Sequence, residues 1–211
     1  MKIVNASFEL RTPLNGMEIL KHIERIGRVC YKSEDRITDD SAPAFVRMLI
    51  ERGHEAMIEH YSFSVKFICD RGVSHEIVRH RLASFAQEST RYCNYAKDGF
   101  GKEIVVIKPF FFDDEPSFGA WYNNCIRAED YYMYLINEGA SPQEARSVLP
   151  NSLKTEIVMT ANLREWRHFL RLRTSQAAHP QMREIAVPLL KTLKEQIPVV
   201  FDDIDALEAA E

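Results

Sequence analysis

The sequence predicts an α+β (mixed α/β) domain in which a central sheet is flanked by helices. Two observations predict this class: strand-like alternation of apolar residues and amphipathic helical spacing follow one another along the whole chain. The 211 residues, 45% of them apolar, are enough to bury one sizeable core. We see no internal repeat, low-complexity segment or linker in the sequence. We therefore expect a single domain over residues 1–211.

The first half of the chain is predicted to begin with a strand over residues 1–10 and an amphipathic helix over 15–29. A second helix is expected between Ser41, as its N-cap, and Gly53, as its stop. Alternation of aromatic or branched residues with polar residues over 61–68 then predicts a half-buried strand.

A basic segment, RHRLASFAQESTR at 79–91, stands out because the chain as a whole is mildly acidic, with a formal net charge of −4. Ser74 is expected to cap a short helix containing Ile77, Val78 and Leu82, so that the basic segment starts on this helix and continues into a loop. A general polynucleotide binder would carry a basic excess over the whole domain. The local concentration of cations therefore indicates a small anionic ligand.

The second half of the chain repeats the alternation of strand and helix. A strand is predicted over 103–109, followed by a long helix over 118–138 that Gly139 ends. Ser141 and Glu144 have the spacing of a capping box at the start of a further helix.

A strand over 154–161 and two helices complete the predicted chain. Asn162 is expected to cap a helix over 163–173, and the last helix spans roughly 179–196 with Pro188 as a kink. Several arginines lie on the helix over 163–173, and two of them, Arg167 and Arg171, are expected to form a solvated face.

The four cysteines are not spaced as a zinc or redox motif, since no Cys-x-x-Cys pair occurs. We expect four free thiols, each buried for structural reasons, at Cys30, Cys69, Cys93 and Cys125. The sequence has no stretch near the ~20 apolar residues of a membrane span and no apolar signal segment at its N-terminus. The expected location is the cytoplasm, without membrane contact.

The usual local motifs for metals and phosphates are missing from the sequence. A zincin site needs histidines four residues apart, whereas His54 and His60 are six apart and His75 and His80 are five apart. Neither a P-loop nor a G-x-G-x-x-G loop occurs, and no G-x-S-x-G elbow is present. We therefore expect no metal, and phosphate binding by side chains, a task that the planar fork of arginine suits.

The basic segment matches the pattern R-H-R-x-x-S-x-x-x-x-S-x-R at every fixed position. This pattern resembles the signature of the flavin-dependent thymidylate synthases, and similarity continues through GHE at 53–55, EARSVLP at 144–150 and FLRLR at 169–173. The resemblance covers about residues 40 to 190. It implies a homotetramer with active sites shared between subunits. It also implies that dUMP is methylated at C5, with methylenetetrahydrofolate as carbon donor and FAD reduced by NADPH as hydride source.

The resemblance also implies roles for individual residues. The residues expected to bind FAD are His54, Arg79, His80, Arg81, Gln87, Asn162, Arg164 and His168. The residues expected to bind dUMP are Glu76, Arg79, Gln87, Ser89, Arg91, Arg146 and Arg173. The sequence departs from the family pattern at Gln87, where an acidic residue is frequent, and at His168, where asparagine is expected.

Arg173 is the expected catalytic residue, because the resemblance places it against the pyrimidine. Methylation at C5 requires an electron-rich ring, and an arginine can stabilise the developing negative charge without a covalent bond. A nucleophilic Ser89 is the alternative, but it would need an adjacent base, and none is evident in the sequence.

Two other classes of function remain open at this point. One is a nucleic-acid-binding module that uses the arginines and the tyrosines of EDYYMYL at 129–135, against which the acidic net charge argues. The other is a flavoprotein oxidoreductase without methyl transfer. A flavin spectrum would separate the first from an enzyme of this family, and product analysis with and without folate would separate the second.

Overall fold

A computed structural model describes residues 1–206 and contains both sheets and helices, as the α+β prediction requires. The strands are β1 Lys2–Val4, β2 Ser7–Leu10, β3 Ser62–Asp70, β4 Ser84–Gln87, β5 Val105–Ile107 and β6 Lys154–Asn162. The α-helices are α1 Gly16–Val29, α2 Ser41–Glu51, α3 Arg71–Ile77, α4 Glu115–Asn137, α5 Pro142–Ala145, α6 Leu163–Arg173 and α7 Pro180–Gln196. Short 3-10 turns cover Glu34–Arg36, Glu55–His60, Asp98–Phe100 and Arg146–Val148.

The strands form two sheets. A two-stranded sheet pairs β1 with β5 in parallel, with Lys2 opposite Val105 and Val4 opposite Ile107. The other sheet has four strands in the order β2-β3-β6-β4. The prediction of one opening strand over residues 1–10 is therefore wrong: the strand divides at Asn5-Ala6, two residue types that are depleted in strands, and its halves join different sheets.

The described chain divides into two compact units. The first unit contains residues 1–7, 67–79 and 85–158, and the second contains residues 8–66, 80–84 and 159–206. The expectation of a single domain over residues 1–211 stays a prediction.

The first unit has an aromatic-rich core. Tyr132, in the C-terminal part of α4, is fully buried, and its hydroxyl accepts the backbone N–H of Tyr95 at 3.3 Å. The indole Nε1–H of Trp121 donates to the Ser152 hydroxyl at 2.8 Å, so the polar atom of this large side chain is satisfied. Burial raises the pKa of the Cys125 thiol, which lies in the same core, to about 11.

The second unit is built on helix packing. Helix α1 contacts α2, and α6 contacts both α7 and the 3-10 turn Glu55–His60. Trp166 of α6 stacks on Phe63 of β3 with ring centroids 4.9 Å apart, and its Nε1–H donates to the Phe63 carbonyl. The start of α1 lies against the end of α7 so closely that a Cβ on Gly16 would be 2.3 Å from the Gln196 carbonyl oxygen.

Several predicted helix ends are confirmed. The Asn162 side chain accepts the N–H of Glu165 at 2.9 Å, and α6 spans the predicted residues 163–173. The capping box of Ser141 and Glu144 is present. Gly53 and Gly139 follow α2 and α4 with φ values of +70° and +95°, which favour glycine.

Two predicted caps are wrong. Ser41 is the first residue of α2 instead of its N-cap, and its hydroxyl bonds Glu24 and Thr38. The short helix begins at Arg71, because the Asp70 carboxylate accepts the N–H of Val73 at 2.7 Å. Ser74 therefore lies inside that helix.

The position of the basic segment is also corrected. Helix α3 ends at Ile77, so the segment starts after the helix, and Leu82 is 78% exposed. Four of its residues, Ser84–Gln87, form β4 at the edge of the four-stranded sheet instead of a loop.

The remaining expectations have mixed outcomes. All four cysteines are free thiols, but only Cys69 and Cys125 are buried, and the expectation of burial is wrong for the exposed Cys30. Pro188 lies inside α7. Helix α4 begins at Glu115, three residues before the predicted start, because Asp114 caps it. None of the helices in residues 1–206 is long and apolar enough to cross a membrane.

Candidate functional site

Arg173, the expected catalytic residue, lies at the end of α6 and contacts His80 from the start of the basic segment. Its Nε–H donates to the His80 Nε2 at 3.1 Å. On the other side of the ring, His80 Nδ1 is 3.1 Å from a carboxylate oxygen of Glu165. The three side chains thus form a continuous hydrogen-bonded chain within the second unit, which we call the relay: Glu165, His80 and Arg173.

The relay defines the protonation state of His80. Because Nε2 accepts a hydrogen bond from an arginine, the proton of the neutral ring is on Nδ1, where it donates to Glu165. Burial lowers the pKa of His80 below its ordinary value, and Arg173 and His168 act in the same direction against the opposing effect of Glu165. The hydrogen bond from Arg173 and the lowered pKa of His80 therefore both favour the neutral ring.

The ring of His80 is held by packing as well as by hydrogen bonds. It is only 4% exposed, and it lies edge-to-face against Phe169 at a centroid distance of 4.9 Å. Both nitrogens of the His80 ring already have protein partners. A ligand would therefore contact the edges of the ring and not a nitrogen lone pair. Its expected contact with FAD stays a prediction.

A cavity of about 630 Å³ opens beside the relay in the second unit. Its lining residues are Glu55, Glu59, Leu82, Asn162, Arg164, Glu165, His168 and Arg171. Three of the residues expected to bind FAD, Asn162, Arg164 and His168, are thus brought to one cavity. Arg164 is held there by ion pairs with Glu55 and Glu59.

The donor set of this cavity fits part of a flavin. A flavin ring edge offers carbonyl and ring-nitrogen acceptors together with one N–H donor, and the cavity presents guanidinium, imidazole and amide groups beside carboxylates. The exposed Arg81 adds a cation next to His80 in the chain.

The same region contains ligand types that metals use. Ligand atoms of His80, Glu165 and His168 lie within 4.8 Å of one another. A metal ion there would have to displace a hydrogen-bond partner of His80, since both ring nitrogens are engaged in the relay.

In the first unit, two of the expected nucleotide-binding residues, Gln87 and Ser89, lie on β4 and in the turn that follows it. Gln87 points its amide NH₂ at the hydroxyls of Ser74 and Thr155, at 3.0 and 3.3 Å. The amide is therefore anchored by protein hydroxyls, and no charge is buried at this position. The Ser89 hydroxyl accepts the backbone N–H of Arg91 at 3.3 Å.

A third residue of this set reaches the same turn. The guanidinium of Arg146, which begins a 3-10 turn after α5, donates to the Thr90 hydroxyl at 3.3 Å. Thr90 lies between Ser89 and Arg91, so the structure brings Arg146 to the residues expected to hold the nucleotide phosphate. Glu76 is half-buried on α3, whereas the side chains of His54, Arg79, Arg81 and Arg91 are exposed.

Two residues of α6 differ from the sequence-based expectation: Glu165 was not predicted as a site residue, and Arg167 was expected in a different environment. Arg167 was expected on a solvated face, but it is 1% exposed and donates to both carboxylate oxygens of Asp203, at 2.6 and 2.8 Å. Glu55 and the Val200 carbonyl are further partners. Glu165 could have been noticed, because it lies four residues before Phe169 and so shares the apolar face of α6.

Comparison with known proteins agrees with the expectation from the basic segment. A profile of the family described as thymidylate synthase complementing protein matches residues 14–199. A flavin-dependent thymidylate synthase of Corynebacterium efficiens is 34% identical over 220 residues, which cover 94% of this chain and 84% of the relative. One of Pyrococcus furiosus is 30% identical over 188 residues, covering 88% and 76%.

A solved structure supports the fold. The UMP/dUMP methylase PolB of Streptomyces cacaoi, bound with 5-Br dUMP, superposes with a TM-score of 0.78 over 96% of each chain at 20% identity. This likeness extends over the mixed arrangement of strands and helices. Taken with the family profile and the relatives at 30–34% identity, it leads to one conclusion: the chain belongs to the flavin-dependent thymidylate synthase family.

Proposed function

We propose that this protein converts dUMP to dTMP by reductive methylation, with methylenetetrahydrofolate as carbon donor and NADPH as reductant of a bound FAD. The observation that carries the proposal is the relay, in which a buried carboxylate and a neutral imidazole hold the guanidinium of Arg173 next to a cavity lined by Asn162 and Arg164. Membership of the family supports the same reaction.

The chemistry assigned to Arg173 is electrostatic. When C5 of the pyrimidine attacks the one-carbon unit, negative charge develops on the ring oxygen and nitrogen, and a guanidinium facing them stabilises it. The neutral His80 accepts from Nε–H, so this contact orients the guanidinium without placing a negative charge against it. FAD held by the residues of the cavity would supply the hydride that completes the methyl group.

The residues of the cavity have a binding role in this proposal. Arg164 and His168 donate to acceptors of the flavin, and Asn162 provides an amide from the start of α6, whose backbone it also caps. His54, Arg79, His80, Arg81 and Gln87 complete the proposed FAD set.

The turn after β4 has the proposed nucleotide-binding role. Ser89, Arg91 and Arg146 would hold the phosphate of dUMP, because hydroxyl and guanidinium groups meet there and arginine suits a phosphate bidentately. Glu76, Arg79 and Gln87 complete the proposed dUMP set together with Arg173. The Ser89 hydroxyl accepts a hydrogen bond from the backbone N–H of Arg91, which supports a binder over a base-activated nucleophile.

We further propose that the enzyme is a one-domain homotetramer with shared active sites that acts in the cytoplasm on small molecules, and not on nucleic acid or at a membrane. The formal net charge of −4 supports small anionic substrates over a polynucleotide.

An absorbance spectrum of the purified protein and a product assay test the proposal. We expect flavin bands that are released as FAD on denaturation, and dTMP formation that requires dUMP, methylenetetrahydrofolate and NADPH together. NADPH oxidation that continues unchanged without folate, with no dTMP formed in its presence, would instead identify an oxidoreductase. A protein that neither contains nor takes up flavin would contradict both.

A further inference from the structure

Glu165 has no role in the site that the family resemblance implies, yet it is one of the few buried charged side chains of the second unit. Its side chain is 6% exposed, and its oxygen is 3.1 Å from the Nδ1 of His80. A carboxylate in such a position is costly to bury unless it is well paired. Its place in the fold therefore requires a reason.

Both ends of this contact are fixed by the fold. The Asn162 cap accepts the backbone N–H of Glu165, which sets the first turn of α6. The edge-to-face contact with Phe169, one turn later, sets the plane of the His80 ring. Arg173, at the last turn of the same helix, then donates to the far nitrogen of that ring. The helix thus carries three contacts to a single imidazole.

We propose that Glu165 and His80 are positioning residues, which fix the direction of the Arg173 guanidinium through a carboxylate–imidazole–guanidinium relay. The proposal rests on the proposed function for its effect on turnover, while the relay itself is a property of the protein without ligands.

The relay works in one protonation state of His80. Glu165 accepts the Nδ1 proton and so leaves a lone pair on Nε2 for the Nε–H of Arg173. A proton on Nε2 would put two donors against each other, and the guanidinium would turn away. The charged or titratable groups that face His80 are Glu165, His168 and Arg173.

The first test observes the relay directly and needs no activity. Nitrogen-15 NMR of histidine-labelled full-length protein at pH 7.5 should show His80 neutral with its proton on Nδ1, assigned by loss of the signal in His80→Gln. In Glu165→Gln, the ring should gain a population with the proton on Nε2, since the amide can also donate to Nδ1. A wild-type ring that is protonated on Nε2, or doubly protonated, would overturn the relay.

The second test measures the coupling to Arg173. In single-turnover dTMP formation, Glu165→Gln should lower the rate about tenfold in the wild-type background but less than about twofold when Arg173 is already alanine. Glu165→Asp, which keeps the carboxylate, should recover part of the rate. Equal fold losses in both backgrounds would show a general structural role and overturn the proposal.

The third test is the pH profile, with a matched control. Because Glu165 favours the protonated ring, its replacement by glutamine should move the acid limb of kcat to lower pH. Glu24→Gln removes another buried carboxylate, one that pairs with Arg28 and Ser41 on α1 and α2, and should lower Tm without moving that limb. If Glu24→Gln and Glu165→Gln gave the same profile, the relay would have no part in positioning. A wild-type protein without dTMP formation would instead refute the proposed function and leave the NMR result to decide on the relay.

Discussion

At Arg173, the contact seen in the structure joins a guanidinium to a neutral imidazole, so that contact does not neutralise its charge. A neutral hydrogen-bond acceptor orients a guanidinium without weakening its attraction for a developing anion, which suits a residue whose charge acts on a ligand.

Arg173→Ala should reduce dTMP formation by about 100- to 1,000-fold, the usual cost of losing one preorganised donor to a developing anion. Reduction of FAD by NADPH should change much less, because the flavin accepts hydride without a polarised pyrimidine. Stopped-flow flavin reduction and single-turnover product formation in the same variant give the comparison.

Two controls belong to this experiment. Arg173→Lys should restore little, since a point charge does not reproduce the planar fork. Arg25→Ala removes an exposed arginine of α1 and should leave both rates unchanged. Equal losses of flavin reduction and product formation in Arg173→Ala would show that its assigned role is wrong.

Ser89→Ala should raise the KM for dUMP several-fold and still produce dTMP, because the serine is a binder in the proposed mechanism. Ser33→Ala, at a half-buried position away from the basic segment, is the matched control. Normal dUMP binding with complete loss of turnover in Ser89→Ala would identify Ser89 as the nucleophile. Equilibrium dialysis with dUMP, together with single-turnover assays, separates the two outcomes.

At the scale of elements, α6 shows what local sequence can specify. Its cap Asn162 and its range were predictable, because the capping amide and the apolar spacing both lie within the helix. The burial of Arg167 was not, since its partners Glu55 and Asp203 are distant in sequence. The relay was hidden for the same reason, as His80 is 85 residues from Glu165.

Strand β4 shows a second limit. Ser84–Gln87 is only four residues long and lacks a run of branched residues, so no strand pattern is visible in the sequence there. Its pairing is decided by the neighbouring β6, where the N–H of Glu88 donates to the Glu156 carbonyl at 2.8 Å. Likewise, Asp70 and Ser74 are both residue types that cap helices well. Only the backbone geometry shows that α3 starts after Asp70.

Replacement by alanine should have opposite effects on stability at two glycines. One, Gly16, lies in the contact between α1 and α7, and the other, Gly119, lies in α4. Gly16→Ala should destabilise the protein by about 1–3 kcal/mol, because its Cβ would overlap the Gln196 carbonyl oxygen. Gly119→Ala, near the start of α4, should stabilise it by about 0.5–1 kcal/mol, because the new Cβ would meet no described atom outside its own helix backbone within 4 Å. Urea denaturation measures both; stabilisation by Gly16→Ala would contradict the packing.

The ion pair between Arg167 and Asp203 joins α6 to the chain after α7. Asp203→Asn should lower the free energy of unfolding by about 1–3 kcal/mol, because it weakens the pairing of a guanidinium that is 1% exposed. Asp205→Asn, at an exposed neighbour, is the control and should have little effect.

The same pair has a defined pH dependence. Hydrogen bonds from Arg167 lower the pKa of Asp203 from its ordinary 3.8 to about 2. A carboxyl with a lowered folded-state pKa stabilises the fold above the unfolded value, and this contribution is lost as pH falls from about 3.8 towards 2. Asp203→Asn should remove that part of the acid destabilisation; an unchanged acid profile in urea denaturation would contradict the assignment.

At the scale of the whole molecule, the distribution of charge indicates the kind of site better than the net charge does. The chain carries 27 lysines and arginines against 31 acidic residues, yet cations are concentrated in the basic segment and on α6. Exposed arginines that lack a Gly-rich cradle of their own are suited to a site completed by another copy of the chain.

We therefore expect a homotetramer of the 24.5 kDa chain. Light scattering coupled to size exclusion should give about four times this mass, at concentrations where the enzyme is active. Activity that persists per chain on dilution to a stable monomer would contradict the prediction of shared sites.

The parallel pairing of β1 with β5 sets the order in which the molecule can assemble. Lys2 lies opposite Val105, so the first strand has no partner in its sheet until about a hundred further residues have been made. Closing a loop of that length costs about 4 kcal/mol of chain entropy before any contact compensates for it. During synthesis on the ribosome, β1 therefore stays unpaired in its sheet until β5 has been made. The contacting helices α1 and α2 can fold against each other before that.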